Sequence, residues 1–229
     1  QPVATTGTVG GSASFTVTAA NPAGVTAGPT YQWKKNGEEI PGETTSTLNL
    51  PLLAIDSEGA YSVVVANAYG SVTSTDAVLT VNKATPAIET APLAGTITYG
   101  DQLSAALLAG GVAKVGALEV EGFFSFDSGA LKPSAGTALQ NATFTPLDSD
   151  SYNTATLQVS VTVNKKALTV RANDQTRFYG QANPTFTVTY TGLVAGESSI
   201  TPAPSVTTSA NAGSLPGSYA IEVIGPAQT

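Results

Sequence analysis

Two short acidic runs are this chain's nearest approach to a reactive constellation. Glu119 and Glu121 stand two apart, and a carboxylate pair is the equipment of a glycoside hydrolase, one acid protonating the leaving oxygen while the other acts as base or nucleophile. Residues two apart on a strand also share one face, and a solvated strand face is by far the commoner meaning of such a pair. Asp148 and Asp150, with Asp127 or nearby carbonyls, offer the hard oxygens that calcium takes. The competing reading is an Asx turn, in which the Asp148 side chain caps backbone amides just downstream. Tyr69 is the aromatic most free to meet a sugar ring, although a lone surface tyrosine more often meets only water. The chain has no histidine and no cysteine, which removes Ser-His-Asp and Cys-His catalysis and the usual zinc and copper sites. The glycine-rich run VGGSAS from Val9 follows too little strand and precedes no helix, so it is no phosphate cradle. No catalytic residue and no cofactor is expected, with calcium at Asp148 and Asp150 the one candidate exception.

The elements that would carry these residues are strands. Charged residues make up 11% of the 229, too few to give long amphipathic helices a solvent face, while 23 Gly and 14 Pro break β-branched runs into short pieces. An apolar share of 41% is enough for real cores. Net charge is −7, which repels polyanions and argues against nucleic-acid binding. No apolar run approaches bilayer length, so neither membrane insertion nor a spanning segment is expected. With no initiating Met and no signal peptide at Gln1, the chain reads as a processed or excised piece of something longer. Without cysteine, any extracellular stability must come from packing alone.

Internal repetition sets the organisation. TVNKA from Thr80 recurs as TVNKKA from Thr162, and TYG ending at Gly100 recurs as FYG ending at Gly180. Two landmarks at nearly one spacing imply tandem modules of about eighty residues. The expected modules are 1–81, 82–163 and 164–229. Each junction is an apolar strand followed at once by Asn-Lys, so neighbouring modules should be held end to end. Alternating runs such as SASFTVTAA, AYSVVVANAYG, ATLQVSVTV and TFTVTYTG read as strands. LSAALLAGG from Leu103 has helical propensity, but it is too short to stand alone and ends in two glycines, so a strand or a single turn is expected. Asn36-Gly37, flanked by Lys34-Lys35 and Glu38-Glu39, signals a hairpin.

Residues 1–81 resemble a bacterial immunoglobulin-like domain of the intermediate set. Trp33 matches the core tryptophan of the third strand, and Gly59, Tyr61 and Val63 match the Gly, Tyr and second Cys of the tyrosine corner. Val17 falls at the first Cys. The resemblance therefore implies a sandwich whose cystine is replaced by two valines. A disulfide closing about 45 residues would contribute roughly 4 kcal/mol, whereas two buried valines recover about 1.5–3 kcal/mol each. Ser57 stands where the family usually carries an acid, which is expected to weaken the hydrogen bonding of the corner. Residues 82–163 are similar to a second bacterial Ig-like repeat through KATPAI, ITYGDQLSAALLAGG, GFFSF, KPSAGT and ATFTPLDSDSYNTAT, with Asp148 in the turn position of the family's FTPxD motif. Tyr99, Phe123, Phe126, Phe144 and Tyr152 are the expected core aromatics there. Residues 164–229 resemble the MBG family of bacterial repeats through KALTVRANDQTRFYGQANPTFTVTYTGLVAGE and LPGSYAIEV. Against that family this module looks cut short, so an incomplete sandwich with an unpaired edge is expected, open to edge-strand self-association.

The fold class expected is all-β, tandem immunoglobulin-like sandwiches with the third incomplete. The resemblances imply a non-catalytic stalk or spacer of a bacterial cell-surface or secreted protein. Its partners would be neighbouring domains of its own chain. Strands of about nine residues at ~3.3 Å rise give ~30 Å per module, or roughly 100 Å for three in line. One alternative is an adhesin-type recognition module for a cell-surface glycan or a protein. A second is an accessory segment of a larger secreted enzyme, since sandwiches host many functions.

Overall fold

The computed structural model describes residues 1–21 and 27–225. The chain forms two compact units, one of Gln1–Ala94, Leu107–Ser128 and Leu139–Ser160, the other of Gly95–Ala106, Gly129–Ala138 and Val161–Thr229.

In the first unit, the N-terminal stretch builds two facing sheets. One has the order Thr5–Thr8, Ala77–Asn82, Gly59–Asn67, Thr30–Lys35, Glu38–Glu39, with Gly70–Thr73 also paired to Gly59–Asn67; the other is Ala13–Thr16 with Thr47–Leu50. That division is the one immunoglobulin sandwiches use. Thr5–Thr8 lies parallel to the last strand, with Thr5 opposite Leu79, so the edge of that strand is covered. Ala77–Asn82 alternates buried and exposed along its whole length, as a strand with one wet face must. Register moves by one residue between Tyr61 opposite Ala77 and Val64 opposite Thr73. Ser74 fills the gap: its hydroxyl accepts from the Val63 amide at 3.0 Å and its own amide donates to the Val63 carbonyl at 2.9 Å.

Trp33 and Val63 are both 0% exposed at the centre, with Val17 buried in the same core. The Trp33 indole donates to the Thr45 carbonyl at 2.9 Å, satisfying its one polar atom. Phe15 stacks on Tyr61 with ring centroids 4.9 Å apart. The Tyr61 hydroxyl donates to the Ser57 carbonyl at 2.8 Å. Because the acceptor is backbone, the missing acid at position 57 does not cost the corner this bond, contrary to the expectation from sequence. Asn36 and Gly37 both have positive φ, at 51° and 87°, and turn the expected hairpin.

Later residues of the same unit pair Val112–Val115 with Ala87–Thr90 and with Leu118–Glu119, and Leu93–Ala94 with Leu108–Ala109. Gly122–Phe126 lies antiparallel to the Ala142–Pro146 end of Gly136–Pro146. Ala113, Val120, Phe144 and Ala155 form the core, with Phe124 half-buried 5.0 Å from Phe144. Phe123 is not a core residue: it is 54% exposed. Phe124 and Phe126 occupy the inward parity of that strand, and period 2 sends Phe123 outward.

In the second unit, Ile97–Thr98 lies parallel to Val163–Asn164. Leu103–Ala105 is a single 3₁₀ turn, as LSAALLAGG allowed. Beyond Val163 the chain forms two separate ladders, Thr169–Ala172 with Val188–Thr191 and Ser205–Thr208 with Ile221–Ile224. The Tyr219 hydroxyl donates to the Leu215 carbonyl at 3.0 Å, the same four-residue reach that Tyr61 makes to Ser57. Gly59-Ala60-Tyr61 and Gly217-Ser218-Tyr219 thus share both spacing and hydrogen bond. Among the described residues after Val163 no side chain is fully buried; the apolar residues of these ladders, Val170, Val188, Tyr190, Val206, Ile221 and Val223, are half-buried.

Candidate functional site

The residues that could do chemistry are not gathered. Glu119 and Glu121 are both exposed, on either side of buried Val120. Glu119 lies opposite Lys114 in the ladder, and Lys114 bonds Glu89 at 2.6 Å. Glu89 first, and Glu119 more weakly, hold the Lys114 ammonium above its ordinary range. Asp148 Oδ1 accepts from the amides of Asp150 at 3.1 Å and Ser151 at 3.0 Å, which is an Asx turn. Hydrogen bonds from Ser151, then the Asp150 amide, and the nearby positive charge of Lys83 hold that carboxyl below its ordinary range. Asp127 accepts instead from the Thr143 hydroxyl at 2.7 Å. Among the described residues no three acidic groups converge as a cation cage. Tyr69 is 79% exposed beside a groove of ≈ 490 Å³ that Gln1, Asn21, Asn67 and Val72 help to line; residues 22–26, between two stretches of that lining, lie outside the described residues.

What the fold does assemble is a pair of joints built alike. The first lies in the first unit. Thr8-Val9-Gly10-Gly11 is a tight turn closed by the Gly11 amide on the Thr8 carbonyl at 2.8 Å, with Gly10 at φ 80°. A positive φ at the third position is the type II geometry, for which glycine is the natural residue. Val115 packs over this glycine so closely that an added Cβ would lie 2.9 Å from Val115 Cγ1. Val115 also packs against the N-terminal core. Alongside, the Ala84 amide donates to the Ser151 carbonyl at 3.0 Å, the Asn153 amide to the Ala84 carbonyl at 2.8 Å, and Lys83 Nζ to the Ser149 carbonyl at 2.6 Å. Ala84 is itself buried in that core.

The second joint lies in the second unit. Thr98-Tyr99-Gly100-Asp101 closes by the Asp101 amide on the Thr98 carbonyl at 2.9 Å, with Gly100 at φ 98°. The Asp101 carboxylate accepts from the Thr98 amide at 2.9 Å. Val194 covers Gly100, where any Cβ would overlap its Cγ1. The Tyr99 hydroxyl donates to Glu197 Oε1 at 2.6 Å, and the Val194 amide to Glu197 Oε2 at 3.2 Å. The Tyr99 bond is the main cause that pushes the Glu197 carboxyl down and, reciprocally, the Tyr99 phenol up. Both valines open tight turns: Val115 pairs with Leu118 across Gly116-Ala117, and the Glu197 amide donates to the Val194 carbonyl at 3.1 Å.

Strand division, core tryptophan, two tyrosine corners and repeated joints define an all-β chain of immunoglobulin-like repeats. Residues 168–229 match the family described as MBG domain (YGX type). A search of curated proteins finds no match. Among solved structures, the chain is similar to the I-band fragment I67-I69 from titin, at 15% identity over 86% of this chain and 87% of that one, with a TM-score of 0.36. It is similar also to extracellular domains 3-5 of Drosophila OTK, at 12% identity over 94% and 78%, TM-score 0.34. A third is the three N-terminal domains of the bacteriophage RB49 highly immunogenic outer capsid protein, at 15% identity over 87% and 69%, TM-score 0.33.

Sequence reasoning found TYG and FYG as repeat landmarks but assigned them no partner. The signal for their role was local: a glycine directly after Val or Tyr, in VG, YG and YG, which the structure places at positive φ each time.

Proposed function

We propose that this chain is a non-catalytic spacer, modules 1–81, 82–163 and 164–229, in a bacterial cell-surface or secreted multidomain protein. The observation that carries the proposal is the repeated joint: a valine-headed turn seated on a positive-φ glycine, at Gly10 with Val115 and again at Gly100 with Val194. A spacer transmits position, and position is kept only if each junction resists bending. Short links with a close apolar contact and hydrogen bonds across it meet that need, where a flexible tether would not. Amide ¹⁵N relaxation tests it. Residues on the two sides of each joint are expected to share one correlation time, and independent tumbling across either joint overturns the spacer reading.

A second reading, recognition of glycan or protein, is favoured by one observation, the exposed Tyr69 ring beside its groove. A glycan array probed with the chain and with Tyr69→Ala separates the two. Hits lost with Tyr69 support recognition, and an array blank for both proteins leaves the spacer function alone.

A further inference from the structure

The turn that receives a valine at both joints occurs a third time. Phe178-Tyr179-Gly180-Gln181 closes by the Gln181 amide on the Phe178 carbonyl at 3.2 Å, with Gly180 at φ 84°. The Gln181 side chain accepts from the Phe178 amide at 3.2 Å, repeating the bond that Asp101 makes to Thr98. The turn is braced from behind. Arg177 donates to Asn183 Oδ1 at 2.8 Å, to the Gln181 carbonyl at 2.9 Å and to the Asn211 carbonyl, while the Gly180 amide donates to the Ala212 carbonyl at 3.2 Å. Yet the face that is covered in the first two turns is bare in the third. Among the described residues nothing lies within 4 Å of where a Gly180 Cβ would be. The aromatic ahead of the glycine is correspondingly open, Tyr179 being 66% exposed where Val9, at the same turn position, is buried.

We infer that Tyr179 and Gly180 are the receiving half of a third joint, whose occupant is a further β-repeat joined in tandem and presenting a valine-headed turn. The two occupied turns both specify a valine, and the second, which shares the tyrosine of the third, specifies a carboxylate as well. The occupant's valine seats on the glycine in place of a Cβ, as Val115 and Val194 do. A carboxylate four positions into its turn accepts the Tyr179 hydroxyl, as Glu197 accepts that of Tyr99. A turn already held by its own hydrogen bonds when empty has less freedom to lose on docking, which is what favours a short-linked neighbour. The inference rests on the spacer reading and extends it from the joints the chain contains to one it offers.

The probe is a head-to-tail cyclic peptide spanning Thr191–Ser198, which carries the valine-headed turn, titrated to millimolar concentration into the ¹⁵N-labelled full chain. The expected result is a saturable shift of the Gly180 amide and the Tyr179 ring signals, at least tenfold weaker when the peptide carries Val194→Ser. A second full-chain variant, V194S, vacates Gly100, and there the same peptide should also move the Tyr99 and Gly100 signals. Shifts at Gly100 of that variant but none at Gly180 overturn the inference, since the peptide is then competent and the third turn is not a receiver. Shifts at neither site, or shifts unaffected by the valine replacement, overturn it as well, because the turn is then not what is recognised. None of these outcomes bears on whether the chain's own two joints are rigid, so failure here is distinct from failure of the spacer reading.

Discussion

Trp33 and Val63 face each other directly across the antiparallel ladder, both fully buried. Val63 holds the position a cystine sulfur takes in the resembling family, and with Val17 it closes the core by contact alone. Val63→Ala removes two methyl groups against a rigid indole that cannot collapse into the void. The expected loss is about 2–3 kcal/mol of stability, read by urea denaturation with an unchanged m-value. A loss under about 1 kcal/mol would show that the core relaxes around the gap and that Val63 is not the substitute for the disulfide.

Gly100→Ala and Gly180→Ala make a matched pair. Both place an L side chain at positive φ, at 98° and 84°, a strain of about 1–2 kcal/mol. Only the first also drives a methyl group into Val194. Hydrogen exchange should accelerate at residues 193–197 in G100A and stay unchanged there in G180A. Equal effects would mean that the valine contact adds nothing beyond backbone geometry.

The bond between Tyr99 and Glu197 gives the second joint a pH window. The Glu197 carboxyl is held below its ordinary 4.5, so the joint gains from it above that value and loses the gain as pH falls through the depressed pKa. The Tyr99 phenol is held above its ordinary 10.0, so its contribution is complete below that value and fades as pH rises through the raised pKa. The Gly100 amide shift should therefore be flat between the two limits and move at both ends. Tyr99→Phe should abolish the alkaline step and shift the acid step toward higher pH. An unmoved acid step in that variant would detach Glu197 from Tyr99.

Asp148 discriminates a turn from a cation site. Asp148→Asn keeps an acceptor for the Asp150 and Ser151 amides but removes the charge calcium needs. The melting temperature should fall less in D148N than in D148A, and be indifferent to a chelator in the parent chain. A chelator-induced drop, matched by the loss in D148N, would establish ion dependence.

How much of this was legible beforehand follows from the range of each interaction. Trp33, Tyr61, the hairpin at Asn36-Gly37 and the single turn at Leu103–Ala105 rest on signals within a few residues, either a period of 2 or a turn dipeptide. Linear sequence carries such signals intact. The aromatic run Gly122–Phe126 was not decidable in the same way, because its phenylalanines occupy both parities. Only the pairing with Ala142–Pro146 and the contact with Phe144 settled that Phe124 faces in and Phe123 out. The weakening expected of the corner from Ser57 is absent at the Tyr61 bond for a related reason: its acceptor is the backbone carbonyl, present at every residue whatever its side chain.

The sequence by itself determined the strand class, the repeat period, the absence of histidine and cysteine chemistry, and the glycines that mark each turn. It could not pair Gly10 with Val115 or Gly100 with Val194. Those partners lie 105 and 94 residues apart, and no local propensity links them. Which surface meets which was decided only when the chain had folded, because a contact between residues so distant in sequence is a property of shape and not of period.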